Sequence, residues 1–340
     1  MKRILFYSSV NSLELFKTQK FYQIDISILK DLGYDVLLSN RIFDSLLFWK
    51  YDILFSYFYR YSFFAALLAK CFGKKTYFTG GIDSLDSDYA SAFNYKIQAL
   101  FFKLCYWVAD SCIIVSQSDL KNIFKVSSLK KKLSYSEHVI NTKLFIADVP
   151  KEKIFTSIVW MGDEGNVVRK GVDKALQIFA ELKKIPEFVD YRFVIIGRKG
   201  EGEVLVRSII DKYNLKGSVE LKGEVSEEDK INLLKQSKYY FQLSLYEGFG
   251  LAALEALCAN NIIIHSGKGG LANPIYKEQL LFDIDNDFDS ELLKLVNKLA
   301  CFTPITSYDN LLELEYYDIQ RRKDDFEAII VNGKSNYKLK

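Results

Sequence analysis

Histidine is almost missing from this 340-residue chain: His138 and His265 stand far apart, each flanked by strand-like sequence. No imidazole cluster is on offer to a metal, and a lone histidine at a strand end reads as structural. Cysteine is equally thin. Cys71, Cys105, Cys112, Cys258 and Cys301 are odd in number, scattered among apolar neighbours and never spaced Cys-x-x-Cys. That excludes a disulfide framework and a zinc site, and predicts reduced core thiols. Long apolar runs are missing too: "FFAALLA" (63–69) is far below the roughly 20 residues a bilayer requires, and "ALFFKLCYWVA" (99–109) is broken by Lys103. No spanning helix is expected. The opening "MKRILFYSSVNS" has a basic start without a signal-type apolar core and reads as a first β-strand, so a cytoplasmic location is expected.

A strong charge bias is absent as well. Residues 1–150 hold 19 Lys+Arg against 13 Asp+Glu and residues 151–340 hold 27 against 30, so the halves differ by sign, near +6 and −3. That basic excess is too dilute for a nucleic-acid face, and no nucleic-acid partner is expected. It does suit a membrane surface or an anionic substrate.

What the chain has is repeated strand-helix alternation. "RILFYSS", "DVLLS", "DILFSYF", "KTYFTG" and "SCIIVS" (111–116) alternate with helical stretches, among them a long one near 91–109 and one opened by Ser116 and Ser118. The alternation pauses at "IADVPKEK" (146–153), where an interdomain linker is expected, and restarts with "IFTSIVWMG" (154–162). Further strands are expected at 191–197, 218–223, 239–244, 261–266 and 279–284, with helices near 172–184, 201–214 and 250–259 and one opened by Ser226. Alternation of this kind predicts an α/β fold of two Rossmann-like, doubly wound parallel-sheet domains facing a cleft, with ligands outside the carboxyl ends of the strands. The expected limits are 1–148 for an N-terminal domain and 149–306 for a C-terminal one. Residues 307–340 are expected to supply an amphipathic helix crossing back towards the N-terminal domain and a basic tail.

The chemistry concentrates in "SLYEGFGLAALEALCANN" (244–261). Glu247 follows a strand, "GFG" (248–250) leads into a helix, and that helix offers its first amides near Phe249, Gly250 and Leu251 to an anion such as a phosphate. Glu255 is the one polar side chain between Phe249 and Ala259. A buried carboxylate needs hydrogen-bond donors. Two hydroxyls of a ribose would supply them, and so would a neighbouring loop that the carboxylate caps.

"YEGFGLAALEAL" resembles the Glu-x7-Glu signature of retaining glycosyltransferases of family 4, the group-1 glycosyltransferases with a GT-B fold. "RKGVDKALQIFAEL" and the run from "VIIGRKGEGE" to "YEGFG" follow the same family's donor domain. The resemblance implies that Glu247 contacts the transferred sugar, that Glu255 binds the ribose, and that Lys170, with Arg169 beside it, neutralises the diphosphate. It implies a donor base near Gly197, Arg198 and the loop Glu224–Val225, with Gly248, Phe249, Gly250 and Leu251 around the phosphates. On the acceptor side it points to Gly80, Gly81 and Asp83 of "FTGGID".

The departures are specific. Asp163 stands where the family places an Arg after the strand-ending Gly162. "SSVNSLELF" replaces the glycine-rich loop after the first strand, and Gly80 takes the place of a His. Gly269 and Gly270 are kept, but the Glu that commonly follows them in the family is missing, and Asn273 stands nearby. Asp86-x-Asp88 in "DSLDSD" resembles the metal motif of the other glycosyltransferase fold, but reads as a turn and helix cap.

The resemblance therefore implies an enzyme that takes a UDP- or GDP-sugar donor, requires no metal, and retains anomeric configuration. The implied acceptor is a saccharide or lipid-linked saccharide of bacterial surface polysaccharide or glycolipid. A non-catalytic sugar-nucleotide-binding or scaffolding relative is the alternative. "KKK" (130–132) reads as a solvated turn, with peripheral contact at the inner membrane surface as its sharper reading.

Overall fold

The computed structural model describes residues 1–146, 149–301 and 314–334. Two compact units divide the chain: Met1–Ile140 together with the segment from Tyr316 onward, and Asn141–Glu315.

In the first unit, strands β1 (Arg3–Ser8), β2 (Asp35–Ser39), β3 (Ile53–Tyr57), β4 (Lys75–Thr79), β5 (Ser111–Ile114) and β6 (Leu133–Tyr135) form one parallel sheet in the order β2-β1-β3-β4-β5-β6. A parallel sheet covered on both faces needs strands that are apolar throughout, and all five residues of β3 are buried. Alternation along β1 sorts the side chains between two cores. Ile4 and Phe6 pack with Tyr22, Ile28, Leu29 and Phe326, so the helices Lys20–Asp31 and Ile319–Phe326 cover that face. Leu5 and Tyr7 pack with Ala65, Ala66, Phe102 and Cys105, from the helices Ser62–Cys71 and Ala92–Val108 on the other.

Arg322 anchors the C-terminal helix within this unit. Fully buried, it donates from Nε to Asp25 Oδ1 at 2.6 Å and from Nη2 to Asp25 Oδ2 at 2.7 Å. Bidentate pairing of this kind offsets the cost of burying both charges.

In the second unit, β7 (Glu152–Ile158), β8 (Arg192–Ile196), β9 (Val219–Gly223), β10 (Ser237–Gln242), β11 (Ile262–His265) and β12 (Leu280–Leu281) form a second parallel sheet, ordered β12-β11-β10-β7-β8-β9. Strand order reverses between β7 and β10, which opens a crevice at their carboxyl ends. The Phe155 and Phe241 rings stack across that pair at 5.0 Å. Lys151, just before β7, donates to the carbonyls of Lys235 (2.8 Å) and Ala259 (2.5 Å), where the helices Glu227–Gln236 and Leu251–Cys258 end. A cation suits the negative ends of two helix dipoles.

Several expectations need correction. The first unit ends at Ile140 rather than at 148, and its last described segment begins by Tyr316. Strand β6 and the helices Glu164–Arg169 and Phe288–Cys301 were not legible in the periodicity. "QLLFDI" contributes only the two residues of β12. Cys71 is exposed rather than in a core, whereas Cys105, Cys112 and Cys258 are buried; the side chain of Cys301 and the first part of the segment expected to supply the amphipathic helix of 307–340 lie outside the described residues. After Phe326 that helix widens into a π-turn, Glu327–Val331. Among the described residues no helix is long and apolar enough to cross a membrane.

Candidate active site

Glu247 lies just past β10, beside the crevice where the second sheet reverses order. Its Oε2 is held by three donors: Lys170 Nζ at 2.7 Å, Ser244 Oγ at 3.1 Å and Gln242 Nε2 at 3.2 Å. Gln242 and Ser244 point the same way because they stand two apart at a strand end, and they also bond each other at 2.8 Å. Oε1 makes no hydrogen bond among the described residues. The carboxylate is therefore clamped through one oxygen and presents the other. With side-chain exposures of 21% for Lys170 and 16% for Glu247, the pair is shielded yet reachable.

Glycines set this geometry where no other residue fits. Gly171 has φ +68°, and a Cβ there would run into the Leu243 carbonyl, so only glycine lets the Lys170 segment lie against the end of β10. The same segment is tied down by Leu245 N donating to the Arg169 carbonyl at 2.8 Å. On the other side, Gly270 N donates to the Glu247 carbonyl at 2.6 Å, while a Cβ on Gly269 or Gly270 would meet the Glu247 or Phe249 backbone. That is the work of the "GG" noted in the sequence. Gly248, Phe249 and Gly250 then turn the chain into the helix Leu251–Cys258, whose N-cap Gly250 has φ +89°. First-turn amides have no partner within a helix.

The acid that the sequence leaves without a partner has one inside the protein. Glu255, 5% exposed, accepts from Lys230 Nζ at 2.8 Å, and Lys230 also pairs with Glu227 at 3.0 Å and lies 5.7 Å from the centre of the Phe145 ring. Both Glu247 and Glu255 lie near Tyr240, whose hydroxyl is buried, donates to Gln242 Oε1 at 3.2 Å, and is pushed well above its ordinary range by burial. The two carboxylates thus share one polar seam under the crevice.

The remaining expected donor residues fall along the same sheet edge. Arg169 binds Asn166 Oδ1 at 2.8 Å through Nη2. Asp163 is the N-cap of Glu164–Arg169, accepting from Asn166 N at 2.6 Å, so the acid in place of an arginine serves that helix. Arg198 is exposed after β8, with its carbonyl accepting from Met161 N at 2.9 Å, and Val225 is partly buried after β9. Gly80, with φ +104°, Gly81 and Asp83 follow β4 in the first unit. Nearby, Asp119 is fully buried. Its Oδ1 accepts from Ile82 N at 3.3 Å, and burial first, then the neighbouring Asp83 charge, push its carboxyl up to about 8.

Asp86 is spent on structure, accepting from Asp88 N at 2.9 Å and Asn122 Nδ2 at 3.2 Å. Asn273 caps the short turn Pro274–Tyr276. Beside the glycine pair a cavity of about 530 Å³ is lined by His265, Lys268, Asn273, Tyr276, Gln279 and Asp283. Burial lowers the His265 imidazole to about 4, so it is neutral. His138 is likewise held neutral by burial and by Arg322 and Arg321.

The partners of the two acids, namely Lys230, Gln242 and Ser244, were missed in the sequence. A Gln-x-Ser-x-x-Glu spacing at a strand end was a usable signal for two of them. Lys230 has none, since it stands 25 positions from Glu255.

Two Rossmann-like units of this topology define the GT-B class of fold, and solved glycosyltransferases share it. The structure of Anabaena Alr3699/HepE in complex with UDP covers 98% of this chain and 100% of its own, with TM-score 0.73 and 13% identity. WaaG, a glycosyltransferase involved in lipopolysaccharide biosynthesis, gives 98% and 100% with TM-score 0.69 and 12% identity. Residues 165–299 match the family model "Glycosyl transferases group 1". Among relatives, GDP-mannose:cellobiosyl-diphosphopolyprenol alpha-mannosyltransferase of Xanthomonas oryzae pv. oryzae is 32% identical over 42% of this chain and 40% of its own. One component of the human phosphatidylinositol N-acetylglucosaminyltransferase is 30% identical over 31% and 21%. The matched stretch thus spans less than half of either relative.

Proposed function

We propose that the protein is a retaining, metal-independent glycosyltransferase. It moves a sugar from a UDP- or GDP-sugar held by the second unit to a saccharide or lipid-linked saccharide held by the first. The observation that carries this reading is the Lys170–Glu247 pair, 2.7 Å apart at the reversal point of the second sheet. As the glycosidic bond breaks, negative charge grows on the leaving diphosphate. Lys170 and the amides at Leu251 meet that charge where a metal would otherwise be needed. Glu247 Oε1 holds the transferred sugar, and Glu255, paired with Lys230, accepts from the ribose. In a front-face reaction the acceptor hydroxyl passes its proton to the departing phosphate oxygen, so no separate base is required.

A diphosphopolyprenol and a phosphatidylinositol figure in the names of the two relatives. They favour a lipid-borne acceptor, peripheral contact with the inner membrane surface, and a place in surface polysaccharide or glycolipid synthesis. Gly80, Gly81 and Asp83 would line the acceptor side. Asp163 favours the alternative of a binding protein without turnover, because it removes one cation from the phosphate site. Incubation with UDP- and GDP-sugars decides between them: sugar release or transfer supports the enzyme, and binding without either supports the alternative.

A further inference from the structure

One outward surface of the first unit is built from four neighbouring elements: the turns Ile42–Leu46 and Phe48–Lys50, the helix Ser62–Cys71 and the helix Ala92–Val108. The Phe48 and Phe72 rings stack at 4.3 Å where the turns meet the first helix, and Phe64 lies 6.1 Å from Phe101 where the two helices meet. The inner sides of these helices fill the core. On the outer side of Ala92–Val108 runs a single stripe, Phe93, Lys96, Leu100, Lys103 and Trp107, repeating at steps of three and four.

That stripe is far more open than a core-facing helix allows: Phe93 is 72% exposed, Leu100 56% and Trp107 69%, and on the adjoining turns Phe43 is 76% and Trp49 61% exposed. Single exposed apolar residues are ordinary, but a contiguous set marks an interaction surface. Its exposed charge is basic, since the one acid of the turns, Asp44, is half-buried and accepts from Ser39 Oγ at 2.6 Å. Neither helix contains Asp or Glu, and Lys50, Lys96 and Lys103 are exposed, while Lys70 at the margin pairs with Asp110 at 2.9 Å.

We propose that this surface docks the first unit on an anionic bilayer. The aromatic and leucine side chains enter the headgroup boundary, and the lysines between them meet lipid phosphates. Aromatic bodies interleaved with lysine stems suit a headgroup layer, apolar below and anionic above. The inference rests on the reading that the acceptor is lipid-borne, for which it supplies the surface.

Co-sedimentation of the full chain with phosphatidylcholine vesicles, alone or mixed with phosphatidylglycerol, tests it without donor or acceptor. Expected is binding to the mixed vesicles that weakens with salt and is much poorer with phosphatidylcholine alone. Lys96→Gln with Lys103→Gln should weaken it about thirtyfold, at about 1 kcal/mol for each lysine near the surface. Trp107→Ser should also weaken it. All these side chains are exposed, so the variants should melt like the parent. Equal binding to both vesicle types, no binding, or variants that bind like the parent would overturn the proposal. So would a concentration-dependent dimer of the parent that Leu100→Ser dissolves, since a second copy would then be the occupant. Donor hydrolysis without vesicles reads the proposed function separately, so either can fail alone.

Discussion

Lys230 Nζ lies 2.8 Å from Glu255 Oε2, and their side chains are only 13% and 7% exposed. A helix with no other polar residue can bury a carboxylate because a neighbouring helix brings a cation. Lys230→Met removes the cation from a buried pair and should destabilise the protein by about 3 kcal/mol in a denaturant titration. Lys230→Met with Glu255→Gln should recover much of the loss. An unchanged midpoint in the single variant would show that the pair contributes nothing.

The two carboxylates should separate kinetically. Glu247→Gln keeps the shape but loses the charge, and transfer should slow by about a hundredfold or more while donor affinity moves little. Glu255→Gln should weaken donor binding, measured by calorimetry with the nucleotide diphosphate. Equal transfer by parent and both variants would mean that the site lies elsewhere.

Gly171→Ala should cost about 1–3 kcal/mol from its left-handed backbone alone, and more because the new methyl meets the Leu243 carbonyl. Relief of that clash displaces Lys170, so transfer should fall more steeply than the melting temperature. Alanine at the exposed Gly165 of the preceding helix serves as the control.

Asp119 gives the first unit a pH signature. Burial raises its carboxyl from 3.8 to about 8, so between those values the folded state holds a proton that the unfolded state has released. Stability from this group is therefore present below the lower value and lost as pH rises through the upper one, on the order of a few kcal/mol. Asp119→Asn keeps the amide oxygen available to Ile82 N and should flatten that fall, read as melting temperature against pH. An identical slope in the variant would remove Asp119 as its cause.

Most of both sheets was legible because buried parallel strands such as "ILFSY" must be continuous apolar runs. Ser116 and Ser226 marked helix starts that the structure places one residue on, as N-caps. β6 was hidden by its three-residue length, and Glu164–Arg169 by a single short turn of ordinary composition. At the site, "YEGFGLAALEAL" located both acids, because a strand-end carboxylate followed by glycines and a helix start is a local pattern. Sequence by itself also determined that Gly171, Gly269 and Gly270 were available for close approach. Only the tertiary structure decided what approaches them: the Leu243 carbonyl and the Glu247 and Phe249 backbone. It also decided that Glu247 is clamped through one oxygen by Lys170, 77 positions away, and that Lys230 answers Glu255. Ion pairs between distant segments leave no periodicity in a chain, since they depend on where packing brings two helices or a helix and a strand end together.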